Sequence, residues 1–179
     1  MIYIFLADGF ETIEALAPLD MLRRANIDVK TVGIGSKEIL SSHNVKVSAD
    51  ISESEATFDN LEGIILPGGS KGTENLENSS TVRKFIDHAN KNKLLIAAIC
   101  AAPSVLGKNG LLKDVSATAY PSFAEFIDNY DNDNYVVSSK NIITARGAGV
   151  SVDFGLEIVK YLSGENISEE IRESIQCMP

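Results

Sequence analysis

Short apolar runs, each closed by a tight turn and most of them followed by a stretch of helical period, constrain this chain more than any other feature. The runs IYIFL at Ile2–Leu6, GIIL at Gly63–Leu66, the segment 94–99 and IITA at Ile142–Ala145 read as buried strands, and 27–34 adds another. Between them, apolar residues fall at helical spacing over 13–25, where Ile13, Leu16, Ala17, Met21 and Leu22 precede Arg23 and Arg24. Pro18 is expected to kink that helix or to open its regular part. Further helices are predicted over 81–90, over 103–109 with a stop at Gly110, over 151–162 before Gly164, and over 168–175. A loose alternation over 38–51 around Ser42-His43-Asn44 predicts a hairpin, and short strands at 115–119 and 135–137 flank a helical piece near 123–127.

Strand and helix in this order imply an α/β fold, a three-layer sandwich with a mainly parallel central sheet and helices on both faces. At 179 residues and 44% hydrophobic content, with no linker, low-complexity tract or repeat, the chain is expected to form a single domain over 1–179. Its apolar runs fall short of the roughly 20 residues a membrane span requires. The N-terminal MIYIFLADGF reads as a first strand rather than a leader. A formal net charge of −9 argues against nucleic acid as a partner. Cys100 and Cys177 are read as reduced thiols of a cytoplasmic protein, with a bridge as the alternative. No metal site is expected, because the only histidines, His43 and His88, stand apart from any clustered ligands.

In a parallel sheet, ligands bind beyond the carboxyl ends of the strands. The loops to weigh are therefore 8–14, 67–72, 100–104 and 146–149. In the third, the frame Ala98-Ile99-Cys100-Ala101-Ala102 puts small residues where a sharp strand-to-helix turn is crowded, as in the serine elbow motif. Pro103 suits a first helical turn, and a thiol at that place would be favoured as thiolate. The alternative is a buried cysteine filling a gap. Pro67-Gly68-Gly69 supplies a second turn whose amides, with that of Ala101, could hold an oxyanion, unless it merely ends a strand. Glu14 lies in an apolar segment: ionised, it would raise the pKa of a neighbouring thiol, and protonated it would donate to the sulfur and lower it. Glu11 competes for the same role, and a solvated Glu14 is the plainer alternative.

The stretches ADGFETIEALAPLDMLRRA, ILPGG, IAAICAAPSVL and TARGAGVSVDFGLEIV, in that order, resemble the ThiJ/PfpI superfamily, which shares the class I glutamine amidotransferase-like fold. More narrowly they resemble the branch of the Parkinson-disease protein DJ-one. The resemblance implies a flavodoxin-like sandwich, a homodimer, Cys100 as nucleophile, Glu14 as a protonated acid bonded to it, and backbone amides from Gly68, Gly69 and Ala101. It implies cofactor-free conversion of small 2-oxoaldehydes such as methylglyoxal to hydroxy acids, or deglycation of their adducts. It also implies oxidation of the cysteine to a sulfinate with a stress-sensing or chaperone role.

The chain departs from that pattern in places. Ala101 stands where peptidase-like members carry a histidine, and no histidine follows His88, which counts against a peptidase or amidase. Tyr120 stands where several branch members carry a histidine, and a phenol is no base at neutral pH. His43 lies near a position where relatives place an arginine close to the cysteine; it either approaches the pocket or sits on the surface. Arg146 is read as holding a substrate carboxylate or, preferably, a structural acid such as Asp153. His88 and Cys177 are expected to have no catalytic role.

Overall fold

The structure, a computed structural model, describes residues 1–177. Its elements run β1 (Ile2–Leu6), α1 (Thr12–Arg24), β2 (Val29–Gly33), β3 (Glu38–Leu40), β4 (Lys46–Ser48), β5 (Ile51–Ser52), β6 (Gly63–Leu66), α2 (Ser70–Asn78), α3 (Ser80–Asn92), β7 (Leu95–Ile99), α4 (Pro103–Lys108), β8 (Val136–Ser139), β9 (Ile142–Ala145), α5 (Ser151–Ser163) and α6 (Glu165–Ser174). The main sheet has the order β5-β2-β1-β6-β7-β9-β8. All its pairings are parallel except β8 on β9.

Side chains alternate along each buried strand, and that alternation builds two cores. Tyr3 and Phe5 of β1, Ile64 and Leu66 of β6, and Ile96 and Ala98 of β7 face α3 and α4, whose Val82, Phe85, Ile86, Val105 and Leu106 complete that layer. Ile2, Ile4, Leu6, Ile65, Ala97 and Ile99 face α1 and α5 on the other side, where Leu22, Phe154 and Ile158 cover them. The expected three-layer α/β sandwich is the observed architecture.

Helix α1 is continuous over Thr12–Arg24 with Pro18 inside it, so Pro18 does not open its regular part. Gly155 of α5 lets the two helices approach there, since a Cβ on it would lie 2.8 Å from the Pro18 Cα. Ser79 caps α3 by accepting from the Val82 amide at 3.2 Å.

Several local expectations need correction. Residues 115–119 form no strand: Ala117 makes a single bridge to Tyr130, and the Thr118 amide donates to the Thr144 hydroxyl at 2.8 Å instead of to a ladder. The piece near 123–127 is a 3₁₀ turn over Pro121–Phe126. Helix α2 was not foreseen, because SKGTENLEN carries a single leucine and no apolar period. The hairpin at 38–51 exists as β3 and β4, paired antiparallel apart from the main sheet, while Ile51–Ser52 leaves it to form the sheet edge at β5.

β1 hands on to β2 on one side and, after the chain returns, lies against β6 on the other. The crevice beyond the carboxyl ends of β1 and β6 is thus the switch point where such sheets place their sites. The loops after β1, β6 and β7 all open there.

Candidate active site

Cys100 follows β7 directly and adopts φ +64°. For a residue with a Cβ this left-handed conformation costs about 1–2 kcal/mol and persists only where neighbours hold it. Here they do: its amide donates to the Ala145 carbonyl and its carbonyl accepts from the Tyr120 amide, both at 2.9 Å. Ala98, Ala101 and Ala102 are fully buried around the turn, as the small-residue frame requires. The space beneath the sulfur exists because position 68 is glycine: a Cβ there would lie 2.6 Å from the Cys100 Cβ and 2.4 Å from Glu14 Oε2. The half-buried thiol lines an open cleft of about 950 Å³.

Glu14, on the first turn of α1, is fully buried. Its Oε2 accepts from the Gly68 amide at 2.9 Å. Its Oε1 is buried with no aligned hydrogen bond, and the Cys100 thiol is the side chain that acts on the carboxyl. Burial pushes the acid up to about 7, against the lowering effects of Cys100 and the Gly68 amide, and the nearby charge of Glu11 pushes the same way as burial.

Burial and then the charge of Glu14 push the Cys100 thiol up to about 12, while the amides of Gly69 and Ala101 pull it down. This corrects the expectation of a thiol depressed at rest. The raising effect of Glu14 belongs to its ionised form, so the two groups resist carrying charge together and titrate as a pair. Above neutrality the pair holds one negative charge. A proton passed from the thiol to the carboxylate beside it would move that single charge onto the sulfur.

The predicted amides divide their work. That of Gly68 is committed to Glu14, so it is removed from the set available to an oxyanion; those of Gly69 and Ala101 act on the sulfur. Gly69 reaches this place at φ +85°, with no room for a Cβ, which would lie 2.4 Å from the Gly9 carbonyl oxygen.

Glu11, His43 and Tyr120 also line the cleft. His43 lines the cleft at its mouth with its side chain 74% exposed. Tyr120 stands half exposed on the rim. Arg146 is outside this cleft. It lies over the Tyr135 ring at 4.7 Å and donates to the Asn132 carbonyl at 2.6 Å, and its expected partner Asp153 pairs with Arg172 at 2.9 Å. Its own amide donates to the Tyr135 carbonyl at 2.8 Å, extending the antiparallel pairing of β9 with β8, and the side chain lies over that neighbouring segment.

Sequence reasoning did not single out Ser42, Lys71 or Asp8, which also line the cleft. Asp8 holds the hairpin in place by accepting from the Leu40 amide at 2.8 Å. The signal was available in the Asp-Gly pair that follows β1. Cys100 and Cys177 are not joined by a disulfide. Among the described residues there is no group of three or more His, Cys, Asp or Glu able to hold a metal ion, and no helix long and apolar enough to cross a membrane.

The model of the DJ-1/PfpI family matches residues 1–161. The chain belongs to that family. It is similar to Protein dj-1beta of Drosophila melanogaster, with 35% identity over 176 residues covering 96% of this chain and 94% of the relative. It is similar to the Parkinson disease protein 7 homolog of Danio rerio, at 33% identity covering 94% and 93%. Among solved DJ-1 structures, that of Drosophila melanogaster DJ-1beta superposes with a TM-score of 0.93 at 33% identity, covering 99% of this chain and 98% of that one. The oxidized Toxoplasma gondii DJ-1 gives 0.94 at 29% identity, covering 98% and 97%.

Proposed function

We propose that this DJ-1/PfpI member is a cofactor-independent cysteine enzyme acting on small 2-oxoaldehydes such as methylglyoxal, of glyoxalase or deglycase type, serving in carbonyl stress. The observation that carries the reading is the pairing of an accessible Cys100 with a fully buried Glu14 whose carboxyl is pushed up to about 7. An acid so placed can take and return protons at neutral pH.

Glu14 takes the thiol proton as the sulfur adds to the aldehyde carbon, giving a hemithioacetal whose oxygen is held by the amides of Gly69 and Ala101. Glu14 returns that proton to the hemithioacetal oxygen and is a carboxylate again. It then takes the proton of the former aldehyde carbon, leaving an enediolate, and delivers it to the neighbouring carbon while the hydroxyl proton passes from the first oxygen to the second. One carbon is thereby oxidised to a thioester and the other reduced to an alcohol, so no external oxidant or reductant is consumed. Water then cleaves the C–S bond, releasing lactate and restoring the thiol.

The direction with pH follows. The addition needs Glu14 ionised, so kcat/KM rises with pH through about 7, the value to which burial lifts the acid. Lactate production from methylglyoxal, followed by proton NMR, tests the reading: Cys100→Ala and Glu14→Gln abolish it. Undiminished lactate from Cys100→Ala would falsify the proposal. A homodimer is part of the reading, and light scattering on the purified chain checks it.

The oxidized state of the Toxoplasma gondii relative supports a second reading, a redox-responsive protein whose Cys100 is taken to sulfenate and sulfinate. Mass spectrometry after mild peroxide tests it: Cys100 is oxidised first, and oxidation spread evenly over Cys177 and the methionines counts against it.

A further inference from the structure

We propose that His43 is the base that activates the water in this cleft, a proposal that rests on the thioester chemistry proposed above. That last step needs a group that takes a proton from water at neutral pH and opens to solvent. Glu14 lines the floor of the cleft but has no exposure to solvent, and the reading above gives it the carbon-to-carbon transfer. Tyr120 carries a phenol, and Lys71 is an ammonium paired with Glu74 at 2.9 Å. His88 is stacked flat on Phe58, with ring centroids 4.3 Å apart. His43 is the histidine that lines the cleft.

The hairpin seats it. The Ser42 amide donates to the Phe10 carbonyl at 2.8 Å, and the Ser41 amide to the Val45 carbonyl at 2.9 Å, so the turn carrying His43 is tied to the loop that leads into α1. The Ser42 hydroxyl donates to Glu11 Oε2 at 3.0 Å and meets His43 Nδ1 at 3.0 Å. A hydroxyl has one proton. With that proton on Glu11, the contact with the imidazole requires Nδ1–H to donate to Ser42 Oγ. Glu11 Oε2 lies 3.4 Å from the same Nδ1, on the side that favours a proton there. The neutral tautomer so selected leaves Nε2 with its lone pair free, and Glu11 stabilises the imidazolium once Nε2 is protonated. The charged groups sharing the cleft with His43 are Glu11 and Glu14 from the start of α1, Asp8 after β1 and Lys71 of α2.

In the step itself, Nε2 takes a proton from water as the oxygen adds to the thioester carbon. The tetrahedral oxyanion rests on the Gly69 and Ala101 amides, the C–S bond breaks, and the carboxyl proton of the product returns to the departing sulfur. Lactate leaves as the anion and the imidazolium releases its proton to solvent.

The test compares wild type, His43→Gln, Ser42→Ala and, as a control, His88→Gln with methylglyoxal, after melting curves have established that each variant folds. His43→Gln lowers kcat about 100-fold with KM little changed, leaves alkylation of Cys100 by iodoacetamide at the wild-type rate, and accumulates a lactoyl adduct on Cys100 by intact-mass measurement. Added imidazole restores turnover in His43→Gln. Ser42→Ala shows a smaller loss in the same direction, and His88→Gln none. Equal kcat in wild type and His43→Gln, with no adduct, overturns the role of His43 while leaving the proposed function in place. A wild type that forms no lactate overturns both.

Discussion

Glu14 offers a test that does not depend on turnover. An acid whose carboxyl stands at about 7 in the folded chain and at its ordinary 4.5 in the unfolded chain ties folding to pH. Between those values the native state holds a proton that the unfolded chain has released, so stability falls as pH rises. The contribution is complete below 4.5 and gone above about 7. At about 1.4 kcal/mol per pH unit, the span from 4.5 to about 7 corresponds to about 3 kcal/mol. Glu14→Gln keeps an acceptor for the Gly68 amide and removes the titration. Urea unfolding at a series of pH values from 4.5 to 8 measures both proteins by linear extrapolation. The range stops below the ordinary value of 9.0 for the thiol, so Cys100 does not enter it. Carboxylates elsewhere titrate equally in both proteins and drop out of the difference. The glutamine variant is expected to gain about 3 kcal/mol on wild type across the series. A difference that stays flat with pH would refute the burial argument for Glu14, whatever the chain catalyses.

Gly68→Ala places a methyl 2.4 Å from Glu14 Oε2 and 2.6 Å from the Cys100 Cβ. It is expected to cost about 1–3 kcal/mol in urea unfolding and to reduce lactate formation at least as severely as Glu14→Gln. The left-handed backbone at Cys100 predicts an order between two inactive variants: Cys100→Gly is more stable than Cys100→Ala by about 1 kcal/mol in the same assay, because only the alanine must hold a Cβ there. Equal stabilities would remove backbone strain from the account of the turn.

Much of this was legible in the chain because the relevant signals are local. IYIFL, GIIL and IITA are short, buried and bounded, and each became a strand at its expected place. The crowded alanines around Cys100 are themselves the mark of a sharp turn. What escaped was decided across space. Helix α2 has too few apolar residues to show a period, and it seats itself through Gly72, where a Cβ would lie 2.6 Å from the Phe10 Cα. Segment 115–119 has strand composition, but its backbone is drawn to the Thr144 hydroxyl, a partner a sequence window cannot see. Arg146 donates to the Asn132 carbonyl, which stands 14 residues away in the chain and which a sequence window cannot see. A buried acid near a thiol could be read from its apolar surroundings, but that it would claim the Gly68 amide could not.

The β3–β4 hairpin shares no ladder with the main sheet, and it carries Ser42 and His43 to the mouth of the cleft. The sulfur and its acid are built on β7 and α1. Addition to the aldehyde and release of the product therefore sit on separable modules. Exchanging 41–45 for other residues, with Ile39 kept as the anchor and Asp8 kept as the latch, would strip the mouth of its water base while the sulfur and the acid beneath it stay in place.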